Sequence, residues 1–264
     1  MKKEPLIYAN YHTHTTRCNH ASGSEREYIE EAIKQGYHTL GFADHSPYVF
    51  PDGYYSSFRM RPEELSEYVS TLSALKEEYK NDIRICIGLE AEYYPSLFGG
   101  LKDLIASSGV EDLIMGQHYA KVEPGDAYSG RASDDKGRLT DYVDSITEGV
   151  ATGLYSYVAH PEILNFTGDR DFYLSEMERL VKGVVDAGVL FELNILGLRE
   201  GRIYPRRDFW ELVAKHGGKA IFGLDAHIPA HVYDEETIAR GLRMLEELGV
   251  ERTEEIDLHR LDRL

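Results

Sequence analysis

Three things are scarce in this chain of 264 residues: cysteine, with two, tryptophan, with one, and positive charge, with 29 Lys and Arg against 46 Asp and Glu. Cys18 and Cys86 are too few for a disulfide framework, and no signal-peptide pattern accompanies them, so the expected setting is the reducing cytoplasm. The formal charge of −17 leaves no basic surplus to replace the counterions of a nucleic-acid polymer, and none is expected as a partner. No apolar run has the length needed to cross a membrane. The acidic balance still permits a small phosphate substrate, because bound divalent cations make a pocket locally positive inside an acidic shell. A hydrophobic content of 42% supplies a large core, and the length suits one α/β barrel.

What the chain does have is histidine, eleven in all. His12, His14 and His20 open the series close to the N-terminus. If a strand ends there, His12 and His14 point to one face, since side chains alternate with period two, and two imidazoles can close on one ion. An isolated His-x-His fits an exposed polar strand end equally well, so the rest of the chain has to decide.

Taken in order, the chain alternates strand and helix. The apolar stretch Leu6 to Tyr11 precedes a helix from Ser24 to Gln35, where Ser24 and Glu27 have capping-box spacing and Gly36 is the stop. Thr39 to Ala43 reads as a strand, residues 46 to 62 as a long aromatic loop, and Pro62 to Tyr79 as a helix. Ile83 to Leu89 is the next strand, followed by a helix from Gly99 to Ser107 and a strand from Asp112 to Gly116. A polar loop leads to the helix Leu139 to Thr152, the strand Tyr155 to Ala159 and the helix Tyr173 to Ala187. Val189 to Leu193 is a strand, Asp208 to Lys215 a helix, Lys219 to Leu224 a strand and Glu235 to Leu248 the closing helix. Strands alternating with helices need crossover connections, hence a parallel sheet.

The positions of the reactive residues then choose the architecture. His12, His14, His45, Glu90, His118, His160, Asp225 and His227 all fall at or just beyond the C-terminal end of a predicted strand, with His20 in the first loop. In a barrel those ends converge on one rim, whereas an open sheet spreads them along a line. The expected fold is α/β: a distorted seven-stranded (β/α)7 TIM-like barrel, a single domain over residues 1 to 264. His38, His216, His231 and His259 fall on predicted helix ends or loops, outside this set. Imidazole and carboxylate ligands together suit borderline divalent ions, and these residues are too many for one ion, so two to three are expected, with Glu90 able to bridge. Zinc, iron and manganese all suit the donor set.

The series also resembles the PHP (polymerase and histidinol phosphatase) family. The resemblance is carried by His12-Thr13-His14, His20-Ala21, Gly41 to Pro47, Gly88-Leu89-Glu90, His160-Pro161, Glu192-Leu193-Asn194 with Gly197-Leu198-Arg199, and Asp225-Ala226-His227. The stretch Glu192 to Arg199, continued by Tyr204-Pro205, looks more like the histidinol-phosphatase branch. That resemblance implies up to three divalent ions and hydrolysis of L-histidinol phosphate in histidine biosynthesis. It also implies a partition: His12, His14, Glu90 and Asp225 around one ion, Glu90 with His118 and His160 around a second, and His20, His45 and His227 around a third. The chain departs from the branch at Ile195-Leu196, at Leu224 and at Arg206-Arg207, and it has no arginine between Glu162 and Asn165, although Arg170 follows. These departures bear on the substrate and leave the ligands intact.

The chemistry follows from the ligands. Cations neutralise the oxygens of a phosphomonoester dianion and acidify a water that attacks phosphorus. Asp44, beside His45, is the candidate acid or base, with fixing an imidazole as its equal alternative. Arg199 is the candidate for a bidentate hold on a phosphate oxygen. Another small phosphate, such as a nucleotide or sugar phosphate, is the competing substrate. A regulatory module without turnover is a third reading, disfavoured by the intact ligand set.

Overall fold

The computed structural model describes residues 4–264, so the first three positions of the expected domain lie outside the described residues. The strands are β1 (Ala9–Asn10), β2 (Thr39–His45), β3 (Arg84–Glu90), β4 (Asp112–Ile114), β5 (Tyr157–Val158), β6 (Leu190–Asn194) and β7 (Ala220–Gly223). All ladder pairs are parallel, as the crossovers require. They form a four-stranded sheet in the order β1-β2-β3-β4 and a three-stranded sheet in the order β5-β6-β7. The expected distorted seven-stranded barrel is thus an α/β fold whose seven strands divide into sheets of four and three. They meet through single parallel bridges, Met115 with Val158 and Thr13 with Ala226. Both junctions lie where the chain turns its ligand residues inward and leaves the ladder, which is why β1 and β5 are only two residues long.

The helices are α1 (Glu25–Gln35), α2 (Leu65–Glu78), α3 (Pro95–Ile105), α4 (Lys136–Ala151), α5 (Arg170–Asp186), α6 (Ile195–Glu200), α7 (Arg207–Lys215) and α8 (Glu235–Leu248). The starts of five of them are set by side chains that accept backbone N–H bonds: Ser24 with its Glu27 capping box, Asp135, Asp169, Asn194 and Asp234. The stretch Pro62–Glu64 is a 3-10 turn leading into α2. α3 begins at Pro95, four residues ahead of expectation, because proline presets the first helical φ.

Two apolar layers hold these elements. The larger lies between sheet and helices and includes Phe42, Leu89, Leu113, Val158, Phe191 and Phe222 packed with helix residues such as Tyr28, Leu72, Ile146, Leu180 and Val213. The smaller joins Ala9 of β1, Ala43 of β2, Cys86 of β3, Ile114 of β4, Tyr157 of β5 and Ile221 of β7, with Leu190 of β6 against it. Side chains from all seven strands meet there only if the sheet is curled. Ile256 and Leu258 pack onto this inner layer from the C-terminal segment, which pairs Arg252 with Ala220.

Candidate metal centre

Eight of the nine predicted ligands stand at or just beyond a strand end, and His20 stands in the loop after β1. β1 runs out at Asn10, whose side-chain oxygen accepts from the backbone N–H of His12 (3.2 Å) and of Leu224 (2.9 Å), tying the first strand end to the last. His12 and His14 follow with their Nε2 atoms 3.1 Å apart. β3 ends at Glu90, which is 1% exposed and surrounded by five imidazoles. Its Oε2 lies 3.0 Å from His45 Nδ1, 3.5 Å from His12 Nε2 and 3.6 Å from His14 Nε2. Its Oε1 lies 2.9 Å from His160 Nε2 and 3.4 Å from His118 Nε2. Asp225 Oδ1 lies 3.2 Å from His14 Nε2, 3.7 Å from His12 Nε2 and 3.4 Å from His227 Nδ1. The more exposed His20 and His227 bring their Nε2 atoms to 3.0 Å.

This arrangement fits divalent cations. Glu90 Oε2 is buried and, among the described residues, accepts no hydrogen bond. Donor atoms of His12, His14 and Glu90, of His12, His160 and Asp225, and of His14, His45 and His227 gather within 4.8 Å of one another. Burial alone would raise the Glu90 carboxyl, yet His118, His12 and His45 hold it well below the usual range. Burial likewise opposes the Asp225 charge, and His12 and His14 hold that carboxyl low. His14 is pushed up to about 9: burial opposes its protonation, and Asp225, Asp44 and Glu90 override it. His227 is pushed down to about 3 by burial and by His14, so its ring is neutral with a lone pair to give. Cations and protons compete for such a site.

Two of the buried imidazoles, those of His12 and His118, have their outer nitrogen held by a carboxylate that can only accept. His12 Nδ1 donates to Glu192 Oε1 (2.6 Å), and Glu192 Oε2 also accepts from the His160 N–H and from Asn194. His118 Nδ1 donates to Glu92 Oε1 at 2.9 Å. Donation from Nδ1 leaves the Nε2 lone pair aimed inward. Sequence reasoning assigned no role to Glu192 or Glu92, although Glu92 stands two residues from Glu90. Two glycines clear the space these carboxylates use: a Cβ at Gly116 would lie 1.9 Å from Glu90 Oε1, and one at Gly223 would lie 1.6 Å from Glu192 Oε1. Positive φ values at His160 (32°) and Asp225 (50°) put backbone strain at two of the candidate ligands.

Seven of the nine candidate ligands, all but the more deeply buried His12 and His14, line a cavity of about 580 Å3, together with Phe58, Tyr119, Tyr128, Glu200, Arg202, Tyr204 and His231. Asp44, the expected acid or base, does not line it. Its buried carboxylate accepts from the Thr15 hydroxyl and N–H and from the His45 N–H, and stands 3.5 Å behind His14 Nδ1. Arg199 also lies just off the lining, on α6, where Nη2 meets Nδ1 of His231 at 3.0 Å. Its Nη1 is buried without a partner among the described residues. His231, read from sequence as outside the set, reaches the cavity, and Arg202 is the arginine on its wall, paired with Glu200 at 2.8 Å. Arg170 is instead an outer residue paired with Asp208.

A family model described as PHP domain matches residues 10–195. A protein named probable histidinol-phosphatase from Deinococcus radiodurans is 27% identical over 227 residues, covering 84% of this chain and 86% of the relative. A second protein of that name, from Schizosaccharomyces pombe, is 26% identical over 247 residues, covering 84% of this chain and 81% of the relative. The crystal structure of histidinol phosphate phosphatase from Lactococcus lactis, complexed with zinc, L-histidinol and phosphate, matches 95% of this chain and 98% of its own. Its TM-score of 0.73 at 19% identity is a likeness of fold.

Proposed function

The chain belongs to the PHP domain family, and from that premise we propose that it is a metal-dependent phosphomonoesterase hydrolysing L-histidinol phosphate to L-histidinol and phosphate. The observation that carries this reading is the convergence of nine candidate ligands, from six strand ends and the first loop, on one cluster with Glu90 at its centre, seven of them on the wall of one cavity. The substrate is that of the named relatives and matches the L-histidinol and phosphate of the Lactococcus lactis complex. We read residues 1 to 264 as one domain and the two sheets as a distorted seven-stranded barrel, supported by the bridges at both junctions and by the inner layer. A cytoplasmic setting is supported by the free, buried state of Cys18 and Cys86, and no helix among the described residues is long and apolar enough to cross a membrane.

We assign two to three zinc, iron or manganese ions to the site. His12, His14, Glu90 and Asp225 would hold one; Glu90, His118 and His160 a second; His20, His45 and His227 a third. Bound there, such ions supply charge for the phosphate oxygens and acidity for an attacking water. The protein's own side chains do the rest. Glu192, Glu92 and Asp44 orient His12, His118 and His14, which makes Asp44 a positioning residue in this reading. The wall of Phe58, Tyr119 and Tyr128 offers apolar ring faces to the imidazole of the substrate.

Arg199 and Arg202 supply the positive charge for a phosphate oxygen. The unpartnered Nη1 of Arg199 supports that role, since a buried guanidinium donor left without an acceptor is costly. Arg199→Ala is expected to raise KM and lower kcat, reducing kcat/KM about 10- to 100-fold, as befits a charge-assisted hydrogen bond of roughly 1.5–3 kcal/mol. Metal content should stay normal, and an unchanged kcat/KM removes Arg199 from the site.

Phosphate release from L-histidinol phosphate, measured beside a panel of nucleotides and sugar phosphates, tests the substrate. The expected result is a kcat/KM for L-histidinol phosphate at least tenfold above every other ester. A nucleotide or sugar phosphate in first place would transfer the site to that substrate.

A further inference from the structure

Arg59 lies in the loop between β2 and α2, three residues ahead of the 3-10 turn Pro62–Glu64, and is buried to 1% exposure. Its Nη1 and Nη2 donate to the two carboxylate oxygens of Glu92, at 2.8 and 2.7 Å, and its Nε donates to Glu123 Oε1 at 2.9 Å. Glu92 and Glu123 are themselves buried and belong to the loops after β3 and β4. The Arg59 carbonyl accepts from Asn19 Nδ2 at 3.2 Å, which adds the loop after β1. One side chain and its backbone thus join the four rim loops of the first sheet.

Two of these links run to the site. Glu92 Oε1, held by Arg59 Nη2, is the same atom that accepts from His118 Nδ1. The guanidinium also lies 4.3 Å from the ring centroid of Phe58, whose ring meets His45 edge-on at 5.0 Å and His118 at 5.9 Å. A buried ion pair is a poor device for stability alone, because desolvation offsets most of the attraction and an apolar replacement often serves as well. Planar, bidentate geometry does give direction, and a point-charge ammonium cannot reproduce it.

We propose that Arg59 is a positioning residue that fixes the His118 ring through Glu92 and the Phe58 wall of the cavity through its stacked guanidinium. The proposal rests on the reading of His118 as a metal ligand. It assigns Arg59 two separable effects: ligand geometry through Glu92, and substrate-ring contact through Phe58.

The test uses the full chain loaded with zinc and dialysed against a weak chelator, with zinc per chain read by elemental analysis and kcat and KM read on L-histidinol phosphate. Arg59→Lys is expected to lose about one equivalent of zinc, lower kcat about 10- to 100-fold and raise KM. Glu92→Gln, whose amide has one acceptor oxygen where Arg59 and His118 together use two, should lose the same zinc with KM unchanged. Phe58→Leu should raise KM with zinc unchanged. A folded Arg59→Lys protein that keeps its full zinc, whatever its melting temperature, overturns the proposal. If Arg59→Lys does not fold, Glu92→Gln decides, and full zinc retention there overturns the proposal too. Zinc lost as expected from a protein whose wild type releases phosphate from no ester would refute the phosphatase reading and uphold the role of Arg59 toward His118.

Discussion

Glu90→Gln is expected to lower the turnover of phosphomonoesters about a thousandfold and to cost the protein at least one bound metal ion. The carboxylate at the end of β3 has imidazole nitrogens of His12, His14, His45, His118 and His160 around it at 2.9 to 3.6 Å. Glutamine keeps the volume but replaces one oxygen by a donor and removes the negative charge. An NH2 group facing imidazole lone pairs cannot bridge cations. Electrostatic stabilisation of the transferring phosphoryl group by metal is worth several kcal/mol, and about 4 kcal/mol corresponds to roughly three powers of ten in rate. Circular dichroism should report an intact fold, because Glu90 faces the site rather than the layer between sheet and helices. A variant within tenfold of wild-type kcat would remove Glu90 from the centre of the mechanism.

Gly116→Ala is the second large effect, and it comes from a residue with no side chain to contribute. The added Cβ would sit 1.9 Å from Glu90 Oε1 and 2.5 Å from its Cδ, so the carboxylate must move. It cannot move far, because the imidazoles around it are buried and those of His12 and His118 are tied to their own carboxylates. Expected outcomes are a loss of about 1–3 kcal/mol of stability, typical of overpacking, and a fall in kcat of about 10- to 100-fold with loss of metal. Gly223→Ala should act on the same site from the other side, since its Cβ would displace Glu192 from His12. Gly99→Ala, in α3 with open space around it, is the control and should leave metal content and kcat unchanged. Equal effects at all three positions, read by chemical denaturation and elemental analysis, would show a general intolerance of alanine rather than a cradle for carboxylates.

The candidate ligands were legible because strand geometry makes them so. Short apolar runs that end in His, Glu or Asp declare which residues share a rim, and the parallel register then gathers residues as distant as His12 and Asp225. The shortness of β1 and β5 was not legible, since hydrogen-bond ladders depend on partners that the local sequence does not specify. α6 escaped notice because six residues are too few to show a helical period. The supporting carboxylates were harder still. Glu192 and Glu92 act on histidines far away in sequence, and only their spacing, two residues from Asn194 and from Glu90, hinted that they face the rim. Arg59 gave no signal at all: an arginine in an aromatic loop looks solvated until the structure shows both its carboxylates buried. His231 was set aside because it follows a proline in a 3-10 turn rather than a strand, yet the fold carries that turn back over the cavity.

The central claim is that the histidine and carboxylate ring takes metal in order to hydrolyse a phosphomonoester. It is tested most directly by stripping the protein with a chelator, adding zinc in steps, and following phosphate release from L-histidinol phosphate. No measurable release is expected from the stripped protein, with activity rising to a plateau between two and three equivalents of zinc. Full activity in the stripped protein, or none at any zinc level in a folded one, would contradict it.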